Sequence, residues 1–223
     1  MDKGTTDMSS EVVVEPKGRS KPAEFFIRLV KEKPLGTVGA VITLLLLLTG
    51  IFADFLAPDG MNQIHVGDFL VPPSAKYWLG TDNLGRDMLS RVIFGARVSM
   101  IVGLAAATIA TLLTAFIGIL SGYFGGKFDL IVQRFVDAVM CIPGLILLMV
   151  LIAMLGPGLW QVIVVSGVRW GITGSRIIRG AVIGIKENVY VQAAEAIGCS
   201  TPRILTRHIL PNVMAPLIVR FSI

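Results

Sequence analysis

The chain has 223 residues, of which 54% are hydrophobic and only 16% charged, against about 25% charged in ordinary soluble domains. Its net charge of +5 would fit a nucleic-acid partner, but the basic residues crowd beside apolar stretches, as membrane topology signals do. Cys141 lies in an apolar stretch and Cys199 in a polar one; neither has metal-ligand company, and their surroundings differ too much to suggest a disulfide.

In chain order, residues 1–33 are polar and of mixed charge and read as a cytoplasmic N-terminal tail, its first twenty residues disordered. The polar leader is too long, and the apolar core behind it too extended, for a secretory signal. No charge occurs between Lys33 and Asp54, enough chain to cross about 30 Å of hydrocarbon, so 34–57 is expected as transmembrane helix 1. Lys17, Arg19, Lys21, Arg28, Lys31 and Lys33 precede it and place the N-terminus on the cytoplasmic side.

Residues 58–96 then form an external loop. Tyr77 and Trp78 suit an interfacial position. Asp82 and Asp87 alternate with Arg86, Arg91 and Arg97, the pattern of a locally paired, ordered element. A second uncharged stretch, rich in Gly, Ala and Thr, predicts a span over 98–123 whose small residues allow close helix approach. "GGKFD" at 125–129 is a cytoplasmic turn. A third span is expected over 130–155, kinked or hinged at Pro143. "GPG" at 156–158 is an external turn, and a fourth span follows over 159–180.

Arg176 and Arg179 mark where the fourth span leaves the bilayer; three other charges within or beside these spans are candidates for a further role. Arg134 and Asp137 are three apart on one helical face and are expected to pair, as an interfacial structural pair or as part of a gate. Arg169 lies deep enough to cost about 2.5–3.5 kcal/mol on insertion scales; it either snorkels to the interface or faces a pathway.

The stretch "YVQAAEAIGCSTPRILTRHILPN", 190–212, is polar and basic in an otherwise oily chain. An Ala-rich helix ends at Gly198 in the left-handed conformation. A second helix restarts with Thr201 as N-cap and Pro202 at its first position, and Pro211 breaks it where a fifth span begins. The whole cytoplasmic loop covers 186–210, and the span start 211–223 is too short for a crossing, so the sequence is expected to be truncated. Apolar Val189, Ile197 and Leu205 call for a cytoplasmic partner. A solvated loop and a DNA-reading helix–turn–helix are the competing readings; the latter lacks a third helix.

"QAAEAIG" followed after nine residues by "HILP" resembles the EAA loop of ABC-importer permeases: Glu-Ala-Ala, three residues, Gly, nine residues, Ile, one residue, Leu-Pro. Ala193, Ala194, Gly198, Leu210 and Pro211 match it; Gln192 stands where the pattern has Glu, and His208 where it has Ile. "WLGTDNLGRDMLSRVIFGARVS", 78–99, resembles the GTDxxGRDxxSR signature of the C-type subunit in the dipeptide/oligopeptide/nickel branch.

The resemblance implies an all-α polytopic transmembrane bundle, a type I importer permease with a core domain over 97–223. Four spans and the start of a fifth are present, where the complete family member has six. It also implies a place in the inner membrane beside a B-type second permease subunit, with two cytoplasmic ATP-binding subunits that use ATP and Mg and an extracytoplasmic substrate-binding protein. The loop would dock on the ATPase through Gln192, Ala193, Ala194, Gly198, Leu210 and Pro211, with Gln192 weakening polar pairing there. Peptides lead as cargo; nickel and oligosaccharides are alternatives. A self-sufficient secondary transporter and a membrane-anchored regulator are the competing classes.

This chain itself carries no G-x-x-x-x-G-K-[ST]; "SGYFGGKF" at 121–128 lacks the first Gly and the hydroxyl after Lys127. The expectation is therefore a non-enzyme that binds no cofactor, metal or nucleic acid. The two histidines, His65 and His208, fall on opposite sides of the expected membrane and form no constellation.

Overall fold

The computed structural model describes residue 31 and residues 33–222, so the expected disorder of the tail lies outside the described residues. Among them the chain is helical, with one isolated bridge between Thr81 and Asp87 in place of any strand. Two compact units divide between Leu48 and Thr49. In the first, helix α1 (Pro34–Ile51) runs through the leucine-rich stretch and presents Val41, Leu44, Leu45 and Leu46 on its surface, as a lipid-facing helix must.

The second unit opens with the last turn of α1 and the four-residue helix α2 (Ala53–Leu56). Arg97 holds this end in place: its Nε donates to the Gly50 carbonyl at 2.8 Å and its Nη2 to Asp54 at 2.7 Å.

Helix α3 (Met88–Phe124) is 37 residues long and starts at Met88, not at the expected 98. The reason is a cap. Asp87 Oδ2 accepts from both the backbone N–H and the hydroxyl of Ser90, each at 2.7 Å, satisfying a free donor of the first turn. The polar loop therefore ends at Asp87, and Arg91 and Arg97 lie on the helix.

What precedes α3 is a folded lobe, and the GTDxxGRDxxSR signature is its scaffold. Gly80 and Gly85 have φ of +74° and +72°, and a side chain at either would strike the carbonyl of Val71 or His65, so both roles require glycine. Asp82 sits at the centre. It accepts from the Leu84 and Arg86 backbone N–H groups at 2.8 and 3.0 Å, from Arg86 Nε at 2.8 Å, and from the Arg91 guanidinium. Burial alone would raise its pKa, but these four donors outweigh burial and hold the carboxyl far below the usual range. Thr81 Oγ1 donates to the Asp68 carbonyl and accepts from the Val71 N–H. Tyr77 and Lys76 close the other side on Asp68 at 2.7 and 2.9 Å, lowering its pKa.

Helix α3 packs along helix α6 (Leu159–Lys186). Ala106, Ala110, Thr114, Gly118 and Gly122 repeat every four residues on α3 and face Gly167, Gly171 and Gly174 on α6. An added Cβ at Gly118 would lie 2.7 Å from the Ser175 carbonyl, and one at Gly171 would lie 2.6 Å from Leu113 Cβ. The backbones are thus in near-direct contact, the geometry small-residue stripes allow where lipid supplies no hydrophobic drive. Thr114 seals it, donating its hydroxyl to the Gly171 carbonyl at 3.0 Å.

The expected third span, 130–155, is two helices, α4 (Gly126–Cys141) and α5 (Gly144–Leu155), turned by 88° at Ile142–Pro143. Pro143 is extended, with ψ near 129°. It lacks an N–H, and it pushes Ile142 out of the helical region as well, so the result is a break in place of a kink. By length and composition α1 and α3 are able to cross a membrane, as is the bent α4–α5 pair taken as one; α6 carries Arg169, Arg176, Arg179 and Lys186.

Beyond α6 come α7 (Val189–Ala196), α8 (Thr201–Ile204), a π-helical turn (Leu205–Ile209) and α9 (Leu210–Ser222). The last three are continuous, so Pro211 does not break the chain as expected. A proline clashes with the carbonyl four residues back; the wider π turn, in which the Leu210 N–H reaches the Leu205 carbonyl, relieves that conflict. The N-cap is Ser200, one residue before the expected Thr201.

Candidate functional site

The 189–211 unit is built as a rigid corner. Helix α7 ends in a Schellman motif: the Cys199 N–H reaches the Ala194 carbonyl and the Gly198 N–H the Glu195 carbonyl, both at 3.0 Å. Gly198 supplies the required φ of +81° and has nothing within 4 Å of where a side chain would project.

One face of α7 is spent on packing. Val191 and Ala194, three apart, are buried with Ile204, Ile209, Val213 and Leu217 against Ile119 and Tyr123 of α3 and Ile178 and Val182 of α6. Ala194 is therefore a core residue, not part of the accessible surface expected of it. Leu210 is half-buried against the same cluster, as is Leu205, which the sequence placed among the exposed apolar groups. Burying these side chains contributes about 1.5–3 kcal/mol for each large one, which fixes the corner to the C-terminal parts of α3 and α6.

The other face is open. Gln192, Ala193, Ala196, Gly198 and Pro211 are exposed, and Val189 and Ile197 are each 81% exposed. Gln192 also does something a glutamate could not: its Nε2 donates to the Glu187 carbonyl at 3.2 Å, clipping the start of α7 to the end of α6.

Besides the Thr114–Gly171 bond, three further polar contacts join α7, α6 and α4 to α3, and sequence reasoning missed all of them. The Tyr123 hydroxyl donates to Glu195 Oε1 at 3.0 Å. Lys186 Nζ donates to the Tyr123 carbonyl at 2.8 Å and lies 5.1 Å from its ring centroid. Asp129 on α4 accepts from Arg179 Nε at 2.6 Å and from the Ser121 hydroxyl, tying α3, α4 and α6 together. The sole sequence signal was a charge or a tyrosine at each helix end; apart from Ser121 and Asp129, the partners lie 50 to 72 positions away and leave no periodic trace.

The span charges sort differently. Arg134 pairs with Asp137 at 3.6 Å, and Arg176 of α6 joins the same carboxylate, so the pair is a three-residue bridge between α4 and α6. Arg169 reaches from α6 across to α5. Its guanidinium lies against Gly144, the first residue of α5 after the Pro143 break, and a methyl at Gly144 would collide with it.

Residues 114–223 match the binding-protein-dependent transport system inner membrane component family. The matched region runs from the C-terminal third of α3 to the end of the described helices, and so contains the whole corner. A glutathione transport system permease protein of Pectobacterium atrosepticum is 30% identical over 211 residues, 94% of this chain and 70% of the relative. The chain belongs to this inner membrane component family.

Other members extend the likeness outward through the folded lobe. A probable D,D-dipeptide transport system permease protein of Escherichia coli K12 is 39% identical over 195 residues, 87% of this chain and 65% of its own length. A dipeptide transport system permease protein of Bacillus subtilis is 36% identical over 196 residues, 88% and 61% respectively. The chain thus spans somewhat under two thirds of the length of these two relatives. Family membership makes it a multi-pass inner membrane component of a transport system, in keeping with its apolar helices.

Proposed function

We propose that this chain is the C-type permease subunit of an ATP-driven importer of di- and oligopeptides. In this reading α1, α3, the α4–α5 pair and α6 cross the membrane and α9 begins a fifth crossing, with the N-terminus and the 189–211 corner cytoplasmic and the signature lobe outside. A B-type permease supplies the other half of the pathway. Two ATP-binding subunits dock on the corners, and a binding protein delivers cargo to the outer face. ATP and Mg belong to the ATP-binding subunits.

The observation that carries the reading is the two-faced build of α7. Val191 and Ala194 are locked into the bundle while Val189 and Ile197 stand almost fully exposed one turn away. Such a face in water is a liability unless a partner covers it. A force on that face passes through the Tyr123, Lys186 and Asp129 contacts into α3, α4 and α6, which is what alternating access by rocking helices needs. Peptide cargo is supported by the named relatives, whose cargoes are dipeptides and glutathione.

Co-purification tests it. The chain expressed with its ATP-binding subunits is expected to retain them. Gly198→Arg, which strains the φ of +81° and adds bulk to the open face, is expected to lose them while still inserting. Recruitment at wild-type levels by that variant contradicts the docking assignment.

A further inference from the structure

Arg169 presents a charge with no answer among the described residues. Arg176 and Arg179, on the same helix, each meet a carboxylate. The Arg169 guanidinium meets none among the described residues, and its Nε is wholly buried without a hydrogen-bond partner. It borders an open groove of about 270 Å³ walled by Val139, Leu147, Leu151, Val164 and Ile172. Among the described residues, no titratable side chain other than Arg169 lines that groove. A guanidinium in such surroundings is costly unless an anion joins it, and its planar fork fits a carboxylate in two parallel hydrogen bonds.

Its position narrows the role. The guanidinium rests on Gly144 at the 88° turn between α4 and α5, where only a residue without a side chain leaves room for it. The described residues supply no carboxylate to it, and a peptide always brings one at its C-terminus. We propose that Arg169 is a specificity residue that engages the C-terminal carboxylate of the translocated peptide at the α4–α5 break, with the apolar groove taking the adjoining side chain. This rests on the peptide-importer reading.

The test is uptake by the assembled importer in proteoliposomes, with one binding protein throughout. Two cargoes are compared, a tripeptide with a free C-terminus and the same tripeptide as its C-terminal amide. Wild type is expected to favour the free acid beyond what the binding protein alone selects. Arg169→Gln is expected to shrink that preference roughly tenfold. Gly144→Ala, which displaces the guanidinium without removing it, is expected to do the same. If Arg169→Gln does not insert, Arg169→Lys, which keeps the charge and loses the fork, carries the comparison.

An unchanged preference overturns the inference and leaves the importer reading standing. Equal loss of both cargoes also overturns it, because the carboxylate is then supplied by another subunit. Wild type that imports neither peptide overturns the importer reading and the inference together.

Discussion

Tyr123 and Glu195 lie 72 positions apart and are joined by a 3.0 Å hydrogen bond between hydroxyl and carboxylate. The bond ties the exposed corner helix to the longest helix of the bundle, at the point where Lys186 caps the Tyr123 carbonyl. Tyr123→Phe keeps the ring in the buried cluster and removes only that bond. The expected cost is about 1 kcal/mol, below the usual value for a bond to a charged group because Glu195 is exposed. Amide exchange over 189–198 is then expected to rise roughly fivefold, with ATP-binding subunits still recruited and transport per ATP hydrolysed reduced. Unchanged exchange over that segment contradicts the latch.

The small-residue stripe makes a paired prediction. Gly118→Val forces a side chain into the Ser175 carbonyl and Ile178 and is expected to lower stability by about 1–3 kcal/mol or prevent folding. Gly103→Ala, on the same helix with nothing within 4 Å of the new carbon, is expected to be neutral or to gain up to about 1 kcal/mol. Thermal unfolding in detergent separates the two. Equal effects would mean that α3 does not pack on α6 along this face.

The signature lobe carries a pH signature. Asp82 is held ionised well below the ordinary carboxyl range by the Arg86 and Leu84 amides and by the Arg86 and Arg91 guanidinium groups. Its folded pKa is lower than its unfolded one, so the stability it lends is present above pH about 4 and lost as pH falls through the folded value. Proteolysis of residues 58–87 is therefore expected to be flat from pH 9 to pH 5 and to rise only in stronger acid. Asp82→Asn is expected to show the open-lobe digestion pattern already at neutral pH. Loosening of the wild-type lobe near pH 6 contradicts the assignment.

Much of this architecture was legible in the residues. Charge-free gaps located the apolar helices because a bilayer forbids unpaired charge, and Gly198 announced its left-handed turn. The early start of α3 was hidden because Arg91 and Arg97 look like loop residues until Asp87 is known to cap a helix and Asp54 and Asp82 to neutralise them. The 88° break at Pro143 and the unbroken passage through Pro211 show that proline alone does not decide the outcome. Ile142 turned extended at the first, while a π turn absorbed the second. In the corner, Ala193 and Ala194 were both read as docking residues, and only Ala193 is exposed. Burial of Val191 and Ala194 depends on Ile204, Val213 and two distant helices, and such contacts have no local period.

The central claim is that the 189–211 corner is a cytoplasmic dock for a separate motor subunit. Ile197, 81% exposed at the outer edge of α7, is the position to probe, as Ile197→Cys in a background carrying Cys141→Ser and Cys199→Ser. A membrane-impermeant maleimide is expected to leave this cysteine unlabelled in intact cells and to label it in inverted vesicles, with labelling falling when the ATP-binding subunits are added back. Labelling from outside intact cells would contradict the account.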